Sequence, residues 1–570
     1  MTADAVARFP DEETRRQIRE ELKATFLVEA GAGTGKTSAL VERVVALVLG
    51  GRLIERIVAI TFTEKAAAEL RDRVRSGLEA READTALSDG ERKLLRQALN
   101  SIDRAPISTI HAFCQSLLRQ FAPTLGIDPA FELQDEVLAD RRFEEMWRLR
   151  LDSMGEDGDA RAAVHRALNL GMLTRDIATL AQSLWQQPEF APILLASPLT
   201  APEVAWPNVG DIIRRLRGLG TVVLDSSDNL WVKIQALIVR LEEVARAGAD
   251  REARLAELAS LLALNYGTGR QGNWGGPGGV GAARETTQDV VSALNQTLDV
   301  LREQALAAVL RYVVAFVVDD TRARGREGKL VFDDLILQTR ELLETNPDAR
   351  RAVRERFDCM LIDEFQDTDP VQVQVARAFA TESGSDTPDA GRLFLVGDPK
   401  QSIYRFRRAD MASYSQTRSA IEAQDGRLPL LEQNRRSRDV IIGWVNAVFE
   451  GLIGPGANPA FQPPYHAIEP SRSVVLAGPG VAWFGDGAAM PARDVRAAEV
   501  RELAALVRGV VDEAWEVEDR ATSAVRPATF RDLAILLPTR TILLQLERAL
   551  QDAGVPYRVE GGSLVYGTQD

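Results

Sequence analysis

Residues Phe26–Leu47 read FLVEAGAGTGKTSALVERVVAL, and this stretch decides the fold. The apolar run Phe26–Val28 predicts a buried strand. The segment that follows, Ala30–Thr37, is rich in glycine, which lets backbone N–H groups converge on phosphate oxygens because no Cβ stands in the way. Helical periodicity begins at Ser38, so a helix N-terminus adds its partial positive charge at the same place. The stretch therefore predicts a strand, a phosphate-binding loop and a helix, in that order.

The side chains of this loop indicate which nucleotide and which metal ion it binds. We expect the loop to contact ATP through Ala30, Gly31, Ala32, Gly33, Thr34, Gly35, Lys36 and Thr37. Lys36 would reach the β- and γ-phosphates, and the Thr37 hydroxyl would ligate Mg²⁺. A chance glycine turn before Lys-Thr is the alternative, at on the order of a few per cent for a chain of this length. A GTPase would need an Asn-Lys-x-Asp motif, which the sequence lacks.

Further apolar runs with β-branched residues predict more strands of the same sheet. They are Ile57–Ile60, Ile107–Ile110, Cys359–Ile362 and Leu393–Val396. A polar cluster follows each run. Because ligands of open α/β sheets bind outside the carboxyl ends of the strands, these clusters are expected to line one edge of the sheet. The fold class is therefore α/β, with a parallel sheet.

An acidic motif, Asp363-Glu-Phe-Gln-Asp367, follows the run that ends at Ile362. Asp363 is expected to hold Mg²⁺, and Glu364 is expected to orient and activate water. Two adjacent carboxylates alone would more simply be a solvated acidic turn. With the phosphate loop present and a buried strand before the motif, the catalytic interpretation is favoured.

The segment Gly397–Arg407 reads GDPKQSIYRFR and follows the last of these runs. Gln401 is uncharged and placed to sense a γ-phosphate, so we assign it to the catalytic group. Aromatic residues that alternate with arginines suit single-stranded DNA, where bases stack and phosphates are neutralised. We therefore expect Tyr404, Phe406 and Arg407 to bind DNA. Ordinary core packing is the alternative for the two aromatic side chains.

Composition sets limits on location and partners. The 570-residue chain is 45% hydrophobic, which is ordinary for a protein with a packed core. Its longest apolar stretches fall far short of the ~20 residues of a membrane helix, and its first residues lack a secretory signal. Two cysteines favour a reducing compartment. We predict a cytoplasmic protein with no membrane contact.

The net charge of −14 opposes DNA binding on average, because DNA affinity comes from Lys and Arg that neutralise phosphates. Basic residues are nevertheless concentrated in Lys400–Arg408 and Arg435–Arg438. An acidic exterior with a basic groove fits both facts.

Three motifs together resemble the superfamily 1 helicases. They are the phosphate loop, Asp363–Asp369 and Gly397–Tyr404. The sequences of the last two motifs resemble the RecB/AddA branch more than the UvrD/Rep branch. Thr61–Glu69 and Ser108–Phe113 are similar to two further motifs of that family. The resemblance extends mainly over 20–120, 328–440 and 530–565. It implies a RecA-like motor domain built on the P-loop.

The resemblance also assigns residues to the DNA path. That path would be lined by Thr61, Phe62, Thr63, Thr109, His111 and Phe113. For His111 and Phe113, packing beneath the sheet is the alternative. Glu432–Ser437 resembles the motif whose arginine approaches the γ-phosphate, which makes Arg436 the expected cation for the developing charge. In contrast to the family pattern, Arg435 stands at a usually aromatic position.

The sequence departs from the family pattern at two other places, one expected to contact the adenine base and one in the segment after Gly397. No clear glutamine motif precedes the phosphate loop near Thr14–Gln17, which leaves adenine selectivity open, and Arg408 replaces a usual glycine.

The domain organisation follows from these motifs and from the periodicity between them. We predict a first RecA-like motor domain from 1–130 and 326–425, a large helical insertion at 131–325, and part of a second RecA-like motor domain at 426–570. Within the insertion, Gly267–Gly281 is expected to be a flexible loop between the helical stretches Arg251–Leu264 and Val290–Val318. In the second lobe we expect strands at Val481–Phe484 and Leu533–Leu537 and a helix at Ala492–Trp515. Phe530–Gly562, which includes Gly554–Tyr557 and Gly561-Gly562, resembles the family segment that follows.

The function implied is an ATP-dependent 3′–5′ DNA helicase or translocase. It would act on single-stranded and duplex DNA in recombinational double-strand-break repair, with a RecC/AddB-like partner subunit. Two family motifs expected downstream are absent from the sequence, so we expect slow ATP hydrolysis and no unwinding by this chain alone. An ATP-dependent single-stranded-DNA-binding module without unwinding activity is the first alternative, and an ATPase that acts on proteins is the second. DNA-stimulated ATP hydrolysis distinguishes the helicase from both.

Overall fold

The computed structural model describes most of the chain. The described residues are 11–154, 158–196, 203–382, 387–454, 462–483, 491–519, 522 and 524–560. They fall into two compact units. The sheet unit lies within Met1–Ile110 and Arg351–Asp570, and the helical unit is His111–Arg350. The helical unit is thus longer at both ends than the predicted insertion, 131–325.

The strands of the two units are short. In chain order they are β1 (Phe26–Ala30), β2 (Ile57–Thr61), β3 (Ile107–Thr109), β4 (Glu132–Leu133), β5 (Lys329–Leu330), β6 (Cys359–Ile362), β7 (Leu393–Gly397), β8 (Leu430–Leu431), β9 (Gln433–Asn434), β10 (Glu469–Pro470), β11 (Glu516–Glu518) and β12 (Val525–Pro527). The five runs predicted to be strands form β1, β2, β3, β6 and β7, which confirms those predictions.

Six strands form one parallel sheet in the order β3-β2-β6-β7-β1-β8. Its central strands are buried on both faces; every residue of β2, β6 and β7 is buried. This burial explains why the sequence shows continuous apolar runs instead of alternation. Because the strands are parallel, all their carboxyl ends lie at one edge of the sheet, here called the strand-end edge.

Helices make up most of the remaining described structure. In chain order they are α1 (Glu12–Glu20), α2 (Lys36–Leu49), α3 (Glu64–Glu82), α4 (Asp89–Ser101), α5 (Ile110–Leu125), α6 (Glu136–Ser153), α7 (Gly158–Asn169), α8 (Thr174–Trp185), α9 (Phe190–Ala196), α10 (Val209–Gly218), α11 (Asn229–Arg246), α12 (Arg251–Glu257), α13 (Ala259–Leu262), α14 (Gly279–Glu327), α15 (Phe332–Thr345), α16 (Pro347–Arg356), α17 (Pro370–Ala380), α18 (Met411–Glu422), α19 (Asp439–Ile453), α20 (Ala492–Asp512) and α21 (Leu543–Asp552). None of the helices in the described ranges has both the length and the apolar composition needed to cross a membrane.

A buried arginine on α2 secures the chain that leads into β1. Arg43 donates to the carbonyl oxygens of Ile18 at 2.7 Å, Glu21 at 3.1 Å and Ala24 at 3.2 Å. Its guanidinium also lies 4.9 Å from the ring centroid of Phe26. Burial lowers the pKa of Arg43 to about 10, so it stays charged at neutral pH. The cation is a donor to all three carbonyl groups, of which only Glu21 O also accepts from a backbone N–H, that of Ala24 at 3.1 Å, among the described residues.

The helical unit is organised around the 49-residue helix α14. Its core contains a buried ion cluster: Arg324 pairs with Asp320 at 2.6 Å and with Asp334 at 2.7 Å. Asp320 also accepts from Arg142 at 2.9 Å and from Trp185 Nε1 at 2.7 Å. Each buried charge therefore has partners, as burial requires.

The glycine-rich segment differs from its prediction at both sides. Helix α14 begins at Gly279, inside the predicted loop Gly267–Gly281, and Arg251–Leu264 is divided between α12 and α13. The loop that remains is tied to Asp228, whose carboxylate accepts from Arg270 N at 3.0 Å and from Asn273 Nδ2 at 2.9 Å. Hydrogen bonds to a buried carboxylate gave no signal in the sequence, because Asp228 is far from the loop along the chain.

The later part of the sheet unit confirms one predicted element and contradicts another. Helix α20 covers most of the predicted Ala492–Trp515. Leu533–Leu537 forms no strand in the described residues; instead its apolar side chains pack beside α20 and α21. Residues 481–483 are also not a strand, while Phe484 and Gly561-Gly562 lie outside the described residues.

Candidate nucleotide site and nucleic-acid surface

The loop between β1 and α2 has the backbone that glycine permits. The φ angles of Gly33 and Gly35 are +74° and +91°, which L side chains rarely adopt. A Cβ at Gly33 would lie 2.6 Å from Asn434 Nδ2, so a side chain does not fit. Inside the loop, Thr34 Oγ1 donates to Gly31 O at 2.9 Å. The loop is thus fixed in shape by its own contacts and by close neighbours.

A cavity of about 310 Å³ opens above this loop. It is lined by Arg15, Gly31, Gly33, Gly35, Lys36, Thr37, Ser38, Arg73, Glu364, Arg435 and Arg436. Five of these side chains are cationic and one is a carboxylate. A triphosphate carries concentrated negative charge, so the charge and the glycine cradle of this cavity fit a nucleoside triphosphate.

Lys36 contacts two other side chains that were predicted to be catalytic. Its ammonium group donates to Glu364 Oε2 at 2.8 Å and to Gln401 Oε1 at 3.2 Å. Lys36 begins α2, whereas Glu364 follows β6 and Gln401 follows β7. The parallel sheet brings them together because β6, β7 and β1 are neighbours and their carboxyl ends lie at one edge.

The two acidic residues after β6 differ in their surroundings. Burial, reinforced by the charge of Glu364, raises the pKa of Asp363 to about 6. Glu364 has a φ of +51°, in the left-handed region where a non-glycine residue is uncommon. Such strained backbone is concentrated at active sites and costs about 1–3 kcal/mol. The surrounding contacts must therefore hold Glu364 in this conformation.

The oxygen atoms of Asp363 and Thr37 fit Mg²⁺ as the ion that accompanies a nucleotide. The described residues contain no cluster of three His, Cys, Asp or Glu side chains that could hold a metal ion by themselves. Mg²⁺ needs no such cluster, because it is commonly bound by one or two carboxylates together with substrate phosphates. Asp363 would supply the carboxylate and Thr37 the hydroxyl.

A strand beyond the sheet brings Arg436 to the cavity. Asn434, in β9, donates to Ala32 O at 2.5 Å and accepts from Arg436 N at 2.9 Å. Arg435 N donates to Gly33 O at 2.9 Å. These contacts dock the arginine pair directly on the phosphate loop, and both arginines line the cavity.

Four side chains form a second surface on the strand-end edge, here called the aromatic cluster: Phe62, Tyr404, Phe406 and Arg407. The rings of Phe62 and Tyr404 are stacked with centroids 5.2 Å apart, and Tyr404 and Phe406 are 5.8 Å apart. The guanidinium of Arg407 lies 5.6 Å from the Phe62 centroid. Phe406 is 80% exposed. Phe62 is 37% exposed and Tyr404 is half-buried. Aromatic rings that reach the surface beside a cation suit stacked bases and a phosphate backbone.

The other residues assigned to DNA lie in different environments. Thr61, Thr109 and Phe113 are buried, and Phe113 is only 2% exposed. Thr109 Oγ1 donates to Glu64 at 2.7 Å, while Thr63 caps α3 by accepting from Ala66 N at 3.1 Å. His111 is half-buried and lies edge-on to Phe332 at 5.3 Å.

Burial leaves little of Thr61, Thr109 and Phe113 to contact DNA, in contrast to the exposed aromatic cluster. For Phe113 the burial fits the alternative of core packing, since burying a large ring is favourable.

Two cationic side chains that line the cavity were not predicted from the sequence. Arg15, on α1, is 2% exposed, donates to Thr34 O at 2.9 Å and pairs with Glu42 at 2.8 Å. Arg73, on α3, lines the cavity near Asp363, whose pKa its charge partly lowers. The weak signal for Arg73 was its helix, which begins at the same edge as the phosphate loop. Arg15 had no motif to reveal it.

The parallel sheet, the glycine-rich loop with Lys36, and the carboxylate pair at the end of β6 define a P-loop nucleoside-triphosphate-binding domain. Sequence comparison narrows the class. The chain belongs to the UvrD/REP helicase family, because the family's N-terminal domain matches residues 11–422.

Several curated relatives share one name, which describes a subunit of an ATP-dependent helicase/nuclease. The protein from Moorella thermoacetica is 28% identical over 95% of this chain and 46% of its own length. The protein from Levilactobacillus brevis is 26% identical over 93% of the chain and 47% of its own length. The protein from Exiguobacterium sibiricum is 30% identical over 75% of the chain and 39% of its own length. The chain thus spans about half the length of these relatives or less.

Proposed function

We propose that this chain is the ATP-dependent motor part of a DNA helicase or translocase that moves 3′ to 5′ along a bound strand. One observation carries the proposal. The cavity lined by Lys36 and Glu364, with Gln401 in contact with Lys36, lies on the same edge of one sheet as the aromatic cluster. A nucleotide site and a surface suited to bases are therefore connected by the short loops that follow β2, β6 and β7.

The cavity supplies the groups that phosphoryl transfer requires. Lys36 and Arg436 would neutralise charge on the γ-phosphate, and Glu364 would accept a proton from the attacking water. Asp363 and Thr37 would hold Mg²⁺, which supplies additional charge stabilisation when it is bound. Gln401 contacts Lys36 and belongs to the segment that continues into Tyr404–Arg407. Loss of a phosphate contact at Gln401 can thereby change the DNA surface.

The DNA surface proposed here is the aromatic cluster with Thr63 beside it. Bases stack on aromatic rings regardless of sequence, and Arg407 neutralises a phosphate. Such a surface binds single-stranded DNA of any sequence. A motor that moves along DNA requires this sequence-independent binding. Movement would come from alternate binding of DNA by this lobe and by a second motor lobe. We assign residues 426–570 to that second lobe except β8 (Leu430–Leu431), which lies in the first sheet.

The biological setting proposed is recombinational double-strand-break repair in the cytoplasm. It is supported by the relatives, whose shared name combines a helicase and a nuclease. The word subunit in that name supports assembly with a RecC/AddB-like partner. The substrates would be single-stranded and duplex DNA.

The first experiment measures ATP hydrolysis by the 570-residue chain with and without single-stranded DNA. A rate that rises several-fold with DNA is the expected result, because nucleotide and DNA groups share one edge. Hydrolysis that is insensitive to DNA would favour an ATPase that acts on proteins and would contradict the proposal.

The second experiment measures strand displacement and polarity. Duplexes with a 3′ or a 5′ single-stranded tail are incubated with the chain, and the tail that supports movement gives the polarity. Displacement from a 3′ tail supports 3′–5′ movement. Absence of displacement alone does not contradict the proposal, because unwinding by this chain alone is not expected. Hydrolysis without translocation along single-stranded DNA in either direction would instead favour the alternative, an ATP-dependent single-stranded-DNA-binding module.

A further inference from the structure

Gln366 is one member of a ring of hydrogen-bonded residues that joins the end of β6 to the end of β7. Its Nε2 donates to Glu364 Oε2 at 2.9 Å, and its Oε1 accepts from Asp398 N at 2.9 Å. Asp398 Oδ2 accepts from Gln401 Nε2 at 2.9 Å. Lys36 closes the ring by donating to both Gln401 and Glu364.

We propose that Gln366 is a positioning residue, which holds Glu364 for activation of water and couples it to the Gln401 segment. The inference rests on the proposed function, since it assumes that the site hydrolyses a nucleoside triphosphate. Gln366 has no expected contact with the substrate and acts through the two residues that have one.

The strained backbone of Glu364 creates the need for such a residue. A non-glycine φ of +51° persists only when surrounding contacts enforce it. Glu364 Oε2 accepts from Lys36 and from Gln366. When Lys36 turns to a phosphate, Gln366 still holds the carboxylate. The direction of the carboxylate during hydrolysis is therefore set by Gln366.

The amide group suits this position in both chemistry and length. Nε2 donates to a carboxylate while Oε1 accepts from a backbone N–H, and a glutamate or a leucine cannot do both. The space at the end of β7 is also limited, because a Cβ at Gly397 would lie 2.7 Å from Gln366 Oε1. Strand β7 therefore fits closely against the amide.

Gln366 couples the site because its two ends contact different strand ends. The Oε1 end fixes Asp398, which in turn orients Gln401, and the Nε2 end fixes Glu364. A displacement of Gln401 is thus transmitted to the catalytic carboxylate through two hydrogen-bonded residues. A rigid connection of this kind would make hydrolysis depend on the conformation of the segment that carries the aromatic cluster.

A purely structural role is the rival explanation, since Gln366 is only 2% exposed. If Gln366 only packed in the core, its replacement would lower the melting temperature, and any loss of activity would follow the loss of folded protein. A positioning residue instead lowers the hydrolysis rate of molecules that are folded and have bound nucleotide. The experiment must separate these two effects.

The test compares Gln366→Leu and Gln366→Glu with the parent and with Gln338→Leu, which removes a buried glutamine of the helical unit (8% exposed). For each protein, kcat and KM for DNA-stimulated ATP hydrolysis are measured, with Kd for a fluorescent ATP analogue with Mg²⁺. The melting temperature is measured without nucleotide. We expect both Gln366 variants to lose about 10- to 100-fold in kcat, the equivalent of one charge-assisted hydrogen bond. Their Kd should stay within about threefold of the parent value.

A double-mutant cycle with Glu364→Gln completes the test. If Gln366 acts through Glu364, adding Gln366→Leu to Glu364→Gln causes little further loss of kcat. Multiplicative losses, or parent-like kcat in the folded Gln366 variants, would overturn the inference. A parent chain without DNA-stimulated hydrolysis would overturn the proposed function itself, so the two failures are distinguishable.

Discussion

Lys36 Nζ lies 2.8 Å from Glu364 Oε2, although the two residues are 328 positions apart in the chain. The ammonium group of the phosphate loop therefore pairs with the carboxylate proposed to activate water. Nucleotide binding competes with this ion pair, because a γ-phosphate draws on the same ammonium group. The two functions of the site, binding and hydrolysis, are consequently linked through one contact.

We expect Glu364→Gln to stop hydrolysis while leaving nucleotide binding equal or tighter. The amide keeps the shape of the side chain, loses the base and no longer competes for Lys36 as a charge. The rate of hydrolysis should fall by about 10²- to 10⁴-fold, the usual contribution of a general base. Hydrolysis and Kd of a fluorescent ATP analogue are the measurements. Hydrolysis at the parent rate would remove Glu364 from the catalytic group.

We expect Phe406→Ala to weaken single-stranded DNA binding by ~1–3 kcal/mol, the usual contribution of one stacked base. Fluorescence anisotropy with a labelled oligonucleotide measures the affinity. Because Phe406 is 80% exposed, its melting temperature and its ATP affinity without DNA should stay near the parent values. Trp483→Ala, which removes an aromatic side chain that is 91% exposed, is the matched control. Equal losses in both variants would contradict a specific role for Phe406.

We expect Arg43→Met to lower the free energy of unfolding by about 2 kcal/mol or more. The substitution keeps much of the apolar stem but removes the donor of the Ile18 and Ala24 carbonyl oxygens, at about 1–3 kcal/mol each when buried. The Glu21 oxygen keeps its hydrogen bond from Ala24 N. Chemical denaturation measures the change. The exposed Arg96, replaced by Met as control, should change stability by no more than about 0.5 kcal/mol. A similar small effect at Arg43 would show that the carbonyls find water instead.

We expect Asp228→Ala to destabilise the helical unit in a pH-dependent way. Burial alone would raise the pKa of Asp228, but hydrogen bonds from Arg270 N, Asn273 and Leu230 N outweigh it and lower the pKa below its usual value. The folded state therefore prefers the ionised form. Its stabilising contribution is complete above the ordinary pKa of ~3.9 and is lost as the pH falls through the lowered folded value.

Melting temperatures of the parent and of Asp228→Ala, measured from pH 7 downward, check this sign. Asp228 is the N-cap of α11, where its side chain accepts from Leu230 N. The difference should therefore correspond to about 1–2 kcal/mol at pH 7, as for other helix N-caps, and shrink below about pH 4. The exposed Asp152, replaced by Ala, serves as the control. A difference that grows as the pH falls would contradict the lowered pKa.

The sequence alone determined the elements whose cause is local. Phe26–Thr37 could be interpreted as a strand and a phosphate loop because apolar side chains and glycines act on their own backbone. Cys359–Ile362 was predicted with the bounds that the structure shows. The strand-end placement of Asp363 followed from the parallel sheet, which requires no knowledge of the individual contacts.

Only the tertiary structure decided which side chains are reachable and which are paired. Phe62 and Phe113 both follow strands in similar motifs, yet one ring joins an exposed cluster and the other is buried, because burial depends on neighbours distant in the chain. For the same reason the sequence did not reveal the ion pair between Lys36 and Glu364, which are 328 positions apart. Nor did it reveal that the Gln366 amide contacts two strand ends. It also left Leu533–Leu537 without a strand, since an apolar pattern becomes a strand only where another strand offers it hydrogen bonds.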